Sequence, residues 1–326
     1  MSSKQATEYF GGQALMEGVM MQGSRGYSMA ARLPDGRIVY KTGSRASLKS
    51  RFKILGLPLI RGVVSFCESM YVGFSALTWS AFQAGEEEEE KLTWKDMALA
   101  IVMALALTII FFVVLPVFAA SFALDLLGPF GRSLIEGIIR VALFLGYIAA
   151  ISRLPDIART FQYHGAEHKT INAWEAGLPL TVENIKKQSR INCRCGTSFI
   201  MMSLLLMVVI FTFIGNTNVA GRIITKIIAM PLVMGIAYEV FRLPLKYPDN
   251  PLVKILIAPG LALQKLTTQE PDDKQIEVGL CALLTVPAFP GAADNALPAN
   301  IITEDALQAE QNAAAPINTN TPTEET

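Results

Sequence analysis

The chain has 326 residues, 52% of them apolar and only 17% charged, with 28 basic residues balanced by 28 acidic ones. The mean hydropathy is +0.38, which soluble domains rarely reach and multispanning helical membrane proteins commonly do. A net charge of zero argues against a nucleic-acid partner, and the four cysteines, Cys67, Cys193, Cys195 and Cys281, do not form a disulfide framework.

The amino-terminal stretch MSSKQATEYFGGQ lacks the apolar core of a secretion signal. Residues 9–26 are glycine-rich with methionines between, and read as turns and close backbone approaches; no phosphate-loop pattern fits. Residues 27–42 read as a β-hairpin around Pro34-Asp35-Gly36. Between 54 and 84, Leu57, Ile60, Val63, Val64, Cys67, Tyr71 and Phe74 follow helical spacing. That predicts one amphipathic helix, lying on the membrane or packed inside the bundle, with Arg61 and Glu68 on one face. A full span is disfavoured, because two charges near its centre are costly unless paired. Glu86–Glu90 read as a solvated acidic linker.

Residues 97–124 carry no charge and are long enough to cross the bilayer, with a kink expected at Pro116. A second span covers 131–152, where Glu136 and Arg140, four apart, neutralise each other near one end. Residues 153–195 form a polar loop. A third span follows at 196–221 and a fourth at 222–243, with Lys226 and Glu239 towards its ends. The fold class is therefore mainly α: a polytopic helical membrane protein of about four transmembrane helices with a small amino-terminal β-hairpin. Lys and Arg concentrate in 153–195 and after residue 241, which predicts cytoplasmic termini and a cytoplasmic 153–195 loop. Residues 251–289 contain two further apolar helices, Leu252 to Leu266 and Gln275 to Leu284, expected either in the membrane interface or packed against the cytoplasmic ends of the bundle. Residues 290–326, rich in Ala, Asn, Thr, Pro and Glu, read as a disordered tail. The domain plan is 1–50, 51–289 and 290–326, with no internal repeat.

The only two histidines stand in His164-Gly-Ala-Glu167-His168. On a helix, positions i, i+3 and i+4 share a face, so two imidazoles and a carboxylate converge. The order His-x-x-Glu-His is that of the inverted zincin motif, in which the histidines hold zinc and the glutamate moves protons. Zinc needs a third ligand. Cys195 is the first choice, in Cys193-Arg194-Cys195-Gly196-Thr197, with Glu175 and Cys193 in reserve. A helix over Thr181–Gln188, capped by Thr181, would fold the chain back to bring Cys195 to the histidines. Glu167, if unliganded, is the candidate general base. The bland alternative is that His164 and Glu167 only hydrogen-bond in a polar interfacial loop. Cys67 and Cys281 read as core residues, and Met16, Met20 and Met21 as packing rather than copper ligands. Glu17, Arg61, Glu68, Glu239, Glu270 and Asp272 read as ion pairs holding the amino-terminal region on the bundle, or else as part of the lining of the histidine cavity.

Six segments together carry a family resemblance: GGQALMEGVMMQG (11–23), LPDGRIV (33–39), LIRGVVSFCES (59–69), HGAEHKTINAWEAG (164–177), RCGTSF (194–199) and TTQEPDDKQIEV (267–278). The chain resembles, over nearly all of residues 9–285, the YqhQ-like bacterial membrane family, a domain of unknown function often labelled a predicted metal-dependent enzyme. The resemblance implies an integral protein of the bacterial inner membrane. His164, Glu167, His168 and Cys195 match its motif positions. Asn192 and Cys193 depart from it, standing where the family tends to have a histidine and a proline. The functional expectation is a metal-dependent hydrolase with zinc, embedded in the lipid bilayer and acting on a membrane-protein segment or a lipid-linked molecule. The alternatives are a non-enzymatic scaffold or assembly factor with a structural metal or none, and a small transporter.

Overall fold

The computed structural model describes residues 8–44, 47–85, 94–122, 128–213, 219–287, 289–290, 297–298 and 300–314. A small sheet opens the chain. Strands β1 (Gly11–Leu15), β2 (Gly18–Gln22), β3 (Gly26–Arg32) and β4 (Ile38–Ser44) form an antiparallel meander. The expected hairpin is β3–β4, turning at Gly36 with φ +89°. The glycine-rich stretch is a correction: instead of turns it forms two strands. Its glycines serve close approach. A Cβ on Gly18 would lie 2.5 Å from the Ala30 carbonyl oxygen, and one on Gly12 would lie 2.6 Å from that of Met20. The strands escape an alternation test because both sheet faces are covered, so the successive residues Gly18 to Met21 of β2 are all buried. Val19, Met21, Ala30 and Ile38 pack into one cluster, while Leu15, Met20, Met29 and Val39 pack into another on the opposite face.

The second correction concerns the tail. Ile301–Thr303 form β5, which pairs in parallel with β4, and Glu304–Ala314 form a helix; the rest of the tail from 315 lies outside the described residues. Ile301 and Ile302 find a partner in the open edge of β4. Leu307 packs beside Trp79, and Glu304 accepts from Trp79 Nε1 at 3.0 Å and pairs with Lys41 at 2.9 Å.

After a short helix α1 (Leu48–Arg51) comes α2 (Ile60–Gln83), the expected amphipathic helix. Its buried Ala76 and Trp79 cover one face of the sheet. Its first turns pack on α9 (Val219–Phe241), where Gly62 lies against Tyr238 and Gly235. Cys67, expected in the core, is exposed. The acidic linker at 86–90 lies outside the described residues.

Four helical stretches are long and apolar enough to cross a membrane: Val102–Phe122, Phe130–Ile151, Gly196–Phe213 and Val219–Lys246. The first joins α3 (Trp94–Ile109) to α4 (Leu115–Phe122) through a π-helical turn at Ile110–Val114. Pro116 explains this turn: it has no N–H for the Phe112 carbonyl four residues back, and its ring crowds that oxygen. The second stretch is α5 (Gly128–Ile151) and the third α8 (Gly196–Phe213). The fourth is α9 with the short α10 (Leu243–Lys246). Arg222, expected in the connection between the last two spans, lies inside α9 and is buried, because it pairs with Glu136.

The expected polar loop at 153–195 is mostly helical, with α6 (Pro155–Glu175) followed by α7 (Val182–Lys186), whose Thr181 cap is as expected. Then α11 (Pro251–Thr267) runs along α8, and α12 (Asp273–Leu284) packs between α6 and the sheet. The last helix, Glu304–Ala314, is α13. Helix α6 is thus wedged between β1, β2 and α12, at the end of the bundle that carries the sheet.

Candidate metal centre

Pro155 at the first position and Asp156 in the first turn start α6 favourably. From Tyr163 to Ile171 every residue is buried. Gly165 makes that possible: a Cβ there would lie 2.1 Å from the Gln269 carbonyl oxygen, so the chain leaving α11 lies directly on the helix. Gln269 N donates to Phe161 O at 2.8 Å, locking this contact.

The same approach orients the histidines. His164 Nδ1 is 2.7 Å from the Thr267 carbonyl oxygen, and His168 Nδ1 is 2.6 Å from that of Arg190. A carbonyl only accepts, so each Nδ1 carries a proton, and in the neutral imidazole each Nε2 then presents a lone pair. The two rings stand 4.4 Å apart. His164 Nε2 lies 3.1 Å from Cys195 Sγ, while His168 Nε2 is buried with no hydrogen-bond partner. One ligand atom from each of His164, His168 and Cys195 falls within 4.8 Å of the other two. This is the arrangement a metal ligand set requires: basic nitrogens aimed at one point, with carbonyls fixing the rings from behind.

Cys195 immediately precedes α8. Its Sγ accepts from Thr197 N at 3.4 Å and lies 3.1 Å from Thr197 Oγ1. The thiolate is the form of a cysteine that binds a metal. The approach to α8 is held by Gln264 of α11. Its amide donates to Asn192 O and to Ser198 Oγ, each at 2.7 Å, and its oxygen accepts from Asn192 N at 2.9 Å. Asn172 of α6 completes the brace, donating to Ile191 O at 3.1 Å. No sequence motif singles out Gln264. The available signal was a fully buried-type position, within the apolar run 252–266, occupied by an amide.

Glu167 lies on the same face. Its Oε2 is 3.9 Å from His164 Nε2, and a Cβ on Gly12 would lie 2.7 Å from its Cγ, so β1 closes over it. Burial pushes the Glu167 carboxyl up from 4.5 to about 7, with His164 pulling the other way. The group can therefore take up or release a proton near neutral pH. His164, Glu167, His168 and Cys195 are 9%, 4%, 1% and 9% exposed, so the cluster is enclosed.

The reserve ligands stand apart. Glu175 pairs with Arg194, and Cys193 is exposed and outside the cluster. Asn192 turns the loop, its Oδ1 accepting from Arg194 N at 2.8 Å. The charged residues near the apolar stretches are paired or capping. Glu17 holds Arg159 and accepts from Tyr163 Oη at 3.0 Å, and Arg61 grips Glu239 with Nε at 2.7 Å and Nη2 at 2.5 Å. Glu68 accepts from Leu48 N at 2.7 Å, Glu270 pairs with Lys169 at 2.6 Å, and Asp272 caps α12. These groups tie the sheet, α2 and α12 to the bundle.

The family model described as "Protein of unknown function (DUF1385)" matches residues 57–288. The chain is 36% identical over 294 residues to the "Uncharacterized protein YqhQ" of Bacillus subtilis (strain 168), covering 86% of this chain and 92% of that relative. No solved structure matches. A helical membrane protein with a sheet at its amino end and a two-histidine, one-cysteine cluster against it, this chain belongs to the DUF1385, YqhQ-like family.

Proposed function

We propose that His164, His168 and Cys195 hold a divalent, zinc-type ion at the cytoplasmic mouth of the bundle, and that Glu167 serves it as the base of a metal-dependent hydrolase. The observation that carries this reading is the pair of Nδ1-protonated imidazoles whose free Nε2 atoms face one thiol, one of them buried without any other partner. Three protein ligands leave one place open, as catalytic zinc sites do. The ion would supply Lewis acidity towards an oxygen of the substrate or of water. Glu167 accepts the proton of the attacking water at its carboxylate oxygen and returns it to the leaving group. A carboxyl titrating at about 7 suits that exchange at neutral pH. The substrate reaches an enclosed site beside apolar helices, which favours a membrane-protein segment or a lipid-linked molecule.

The distribution of charge supports this orientation. Arg153, Arg159, Lys169, Lys186, Lys187, Arg190 and Arg194 lie on the histidine side, as do Lys246, Lys254 and Lys265 after the last span. That bias supports a site on the cytoplasmic side of a bacterial inner membrane, where thiols stay reduced.

Metal analysis of purified wild type and His168→Ala, beside a complementation assay of Glu167→Gln, tests the proposal. Wild type should carry one ion per chain and His168→Ala none, while Glu167→Gln keeps the ion and loses function. Full function in Glu167→Gln overturns the hydrolase. A second reading, a scaffold or assembly factor with a structural metal, is favoured by one observation, the near-complete enclosure of all four residues. A fourth protein ligand seen by X-ray absorption would select it.

A further inference from the structure

The metal centre leaves unused a second group of buried ionisable side chains, towards the opposite end of the bundle. Glu136 and Arg140 of α5 are 1% and 2% exposed, and Arg222 and Lys226 of α9 are 5% and 6%. One carboxylate serves three cations. Arg140 Nη2 reaches Glu136 Oε1 at 2.7 Å, Arg222 Nη2 reaches Oε2 at 2.5 Å, and Lys226 Nζ bonds Oε1. Three formal positive charges against one negative leave an excess of two. Among the described residues no second carboxylate pairs with these cations.

The surroundings compensate only in part. Arg140 Nε donates at 2.6 Å to the Phe112 carbonyl, which Pro116 leaves free at the π-helical turn. Lys226 Nζ stands 5.6 Å from the centre of the Phe211 ring. A carbonyl dipole and a ring quadrupole are partial charges, and neither balances a whole cation. At 1.5 Å per residue, Arg140 lies about 15 Å from either end of the Phe130–Ile151 stretch, whereas Arg222 and Lys226 lie about 5 and 10 Å inside the start of the Val219–Lys246 stretch, so the group reaches from one end towards the depth at which unbalanced charge is most expensive. Single π-helical turns are frequent at functional sites.

Arg222 and Lys226 are one helical turn apart and converge on the same carboxylate, so together they can span two oxygens of one phosphoryl group. We propose that Arg222 and Lys226, backed by Arg140, form a binding site within the bundle for a phosphate-class anion. The phosphodiester of an anionic phospholipid and free phosphate share this chemistry. Glu136 is then the fixed counter-charge that gathers the cations and tempers affinity, so that the anion can leave.

The test uses the purified full-length chain in detergent, melted against increasing inorganic phosphate. Phosphate should stabilise wild type and Lys226→Arg with the same midpoint. Lys226→Met and Arg222→Gln should each need at least about tenfold more. Glu136→Gln, which leaves the cations without their carboxylate, should need less, an effect that a purely structural ion pair would not produce. The second arm compares phosphatidylcholine vesicles with and without phosphatidylglycerol. Stabilisation of wild type over Lys226→Met by phosphatidylglycerol alone assigns the site to lipid, and by free phosphate alone to a soluble anion. If neither anion distinguishes wild type from both charge-removing variants, or if Glu136→Gln shows no gain over wild type, the proposal fails.

Discussion

Replacing Glu167 by glutamine isolates the cost of a buried carboxylate. The carboxyl titrates at 4.5 when free and at about 7 in the fold, because burial disfavours its charge. That displacement corresponds to about 3 kcal/mol. Since the folded value is the higher one, the folded state holds its proton more tightly than the unfolded state. The associated stability is fully present below pH 4.5 and is lost as pH rises through 7. Glutamine stays neutral throughout, so its contribution is flat. In chelator-treated protein the melting temperature of wild type, measured against Glu167→Gln, should therefore fall by roughly 4 °C between pH 4.5 and 8 for a chain of this length. Differential scanning fluorimetry in detergent across that range measures it. Zinc, by favouring the charged carboxylate beside it, should shrink the difference. A wild-type-minus-glutamine difference that stays constant with pH refutes the buried, proton-exchanging carboxyl.

Cys195→Ala should weaken zinc binding by at least about 100-fold, since one of three ligands is gone, while Cys193→Ala should leave it unchanged; dialysis against a zinc buffer with metal analysis separates the two. Gly165→Ala pushes a methyl group into the Gln269 carbonyl, a backbone group that cannot swing aside as a side chain would. It should cost on the order of 1–3 kcal/mol and release zinc as the Thr267 carbonyl is displaced from His164, and an unchanged melting temperature with full metal would contradict the packing. Truncation after residue 299 removes β5 and Leu307 from the sheet. It should cost roughly 2 kcal/mol and open the β4 edge to proteolysis, and equal protease resistance in the two forms would exclude that role.

Much of the architecture lies in local pattern. Four uncharged or nearly uncharged runs announce four membrane-length helices because hydrocarbon tolerates little else. His164, Glu167 and His168 share a face because helical geometry allows nothing different at that spacing. Thr181 caps its helix, and Pro34-Asp35-Gly36 turns its hairpin, through chemistry confined to a few neighbouring residues.

What lay beyond the sequence depends on partners far along the chain. Strands β1 and β2 show no alternation, since α6 and α12 cover one face of the sheet while α2 covers the other. Strand β5 exists only because β4, more than 250 residues earlier, offers it an edge. The proton positions on His164 and His168 are set by carbonyls of Thr267 and Arg190, and Cys67 is exposed because no element packs over that side of α2 among the described residues. The gathering of Arg140, Arg222 and Lys226 on Glu136 joins two helices 86 and 90 residues apart in their contacts. By itself the sequence determined which segments enter lipid and which three side chains of one helix face together. Only the tertiary structure decided what meets them, because long-range contacts are chosen by the fit of whole surfaces, a property that no short window of residues contains.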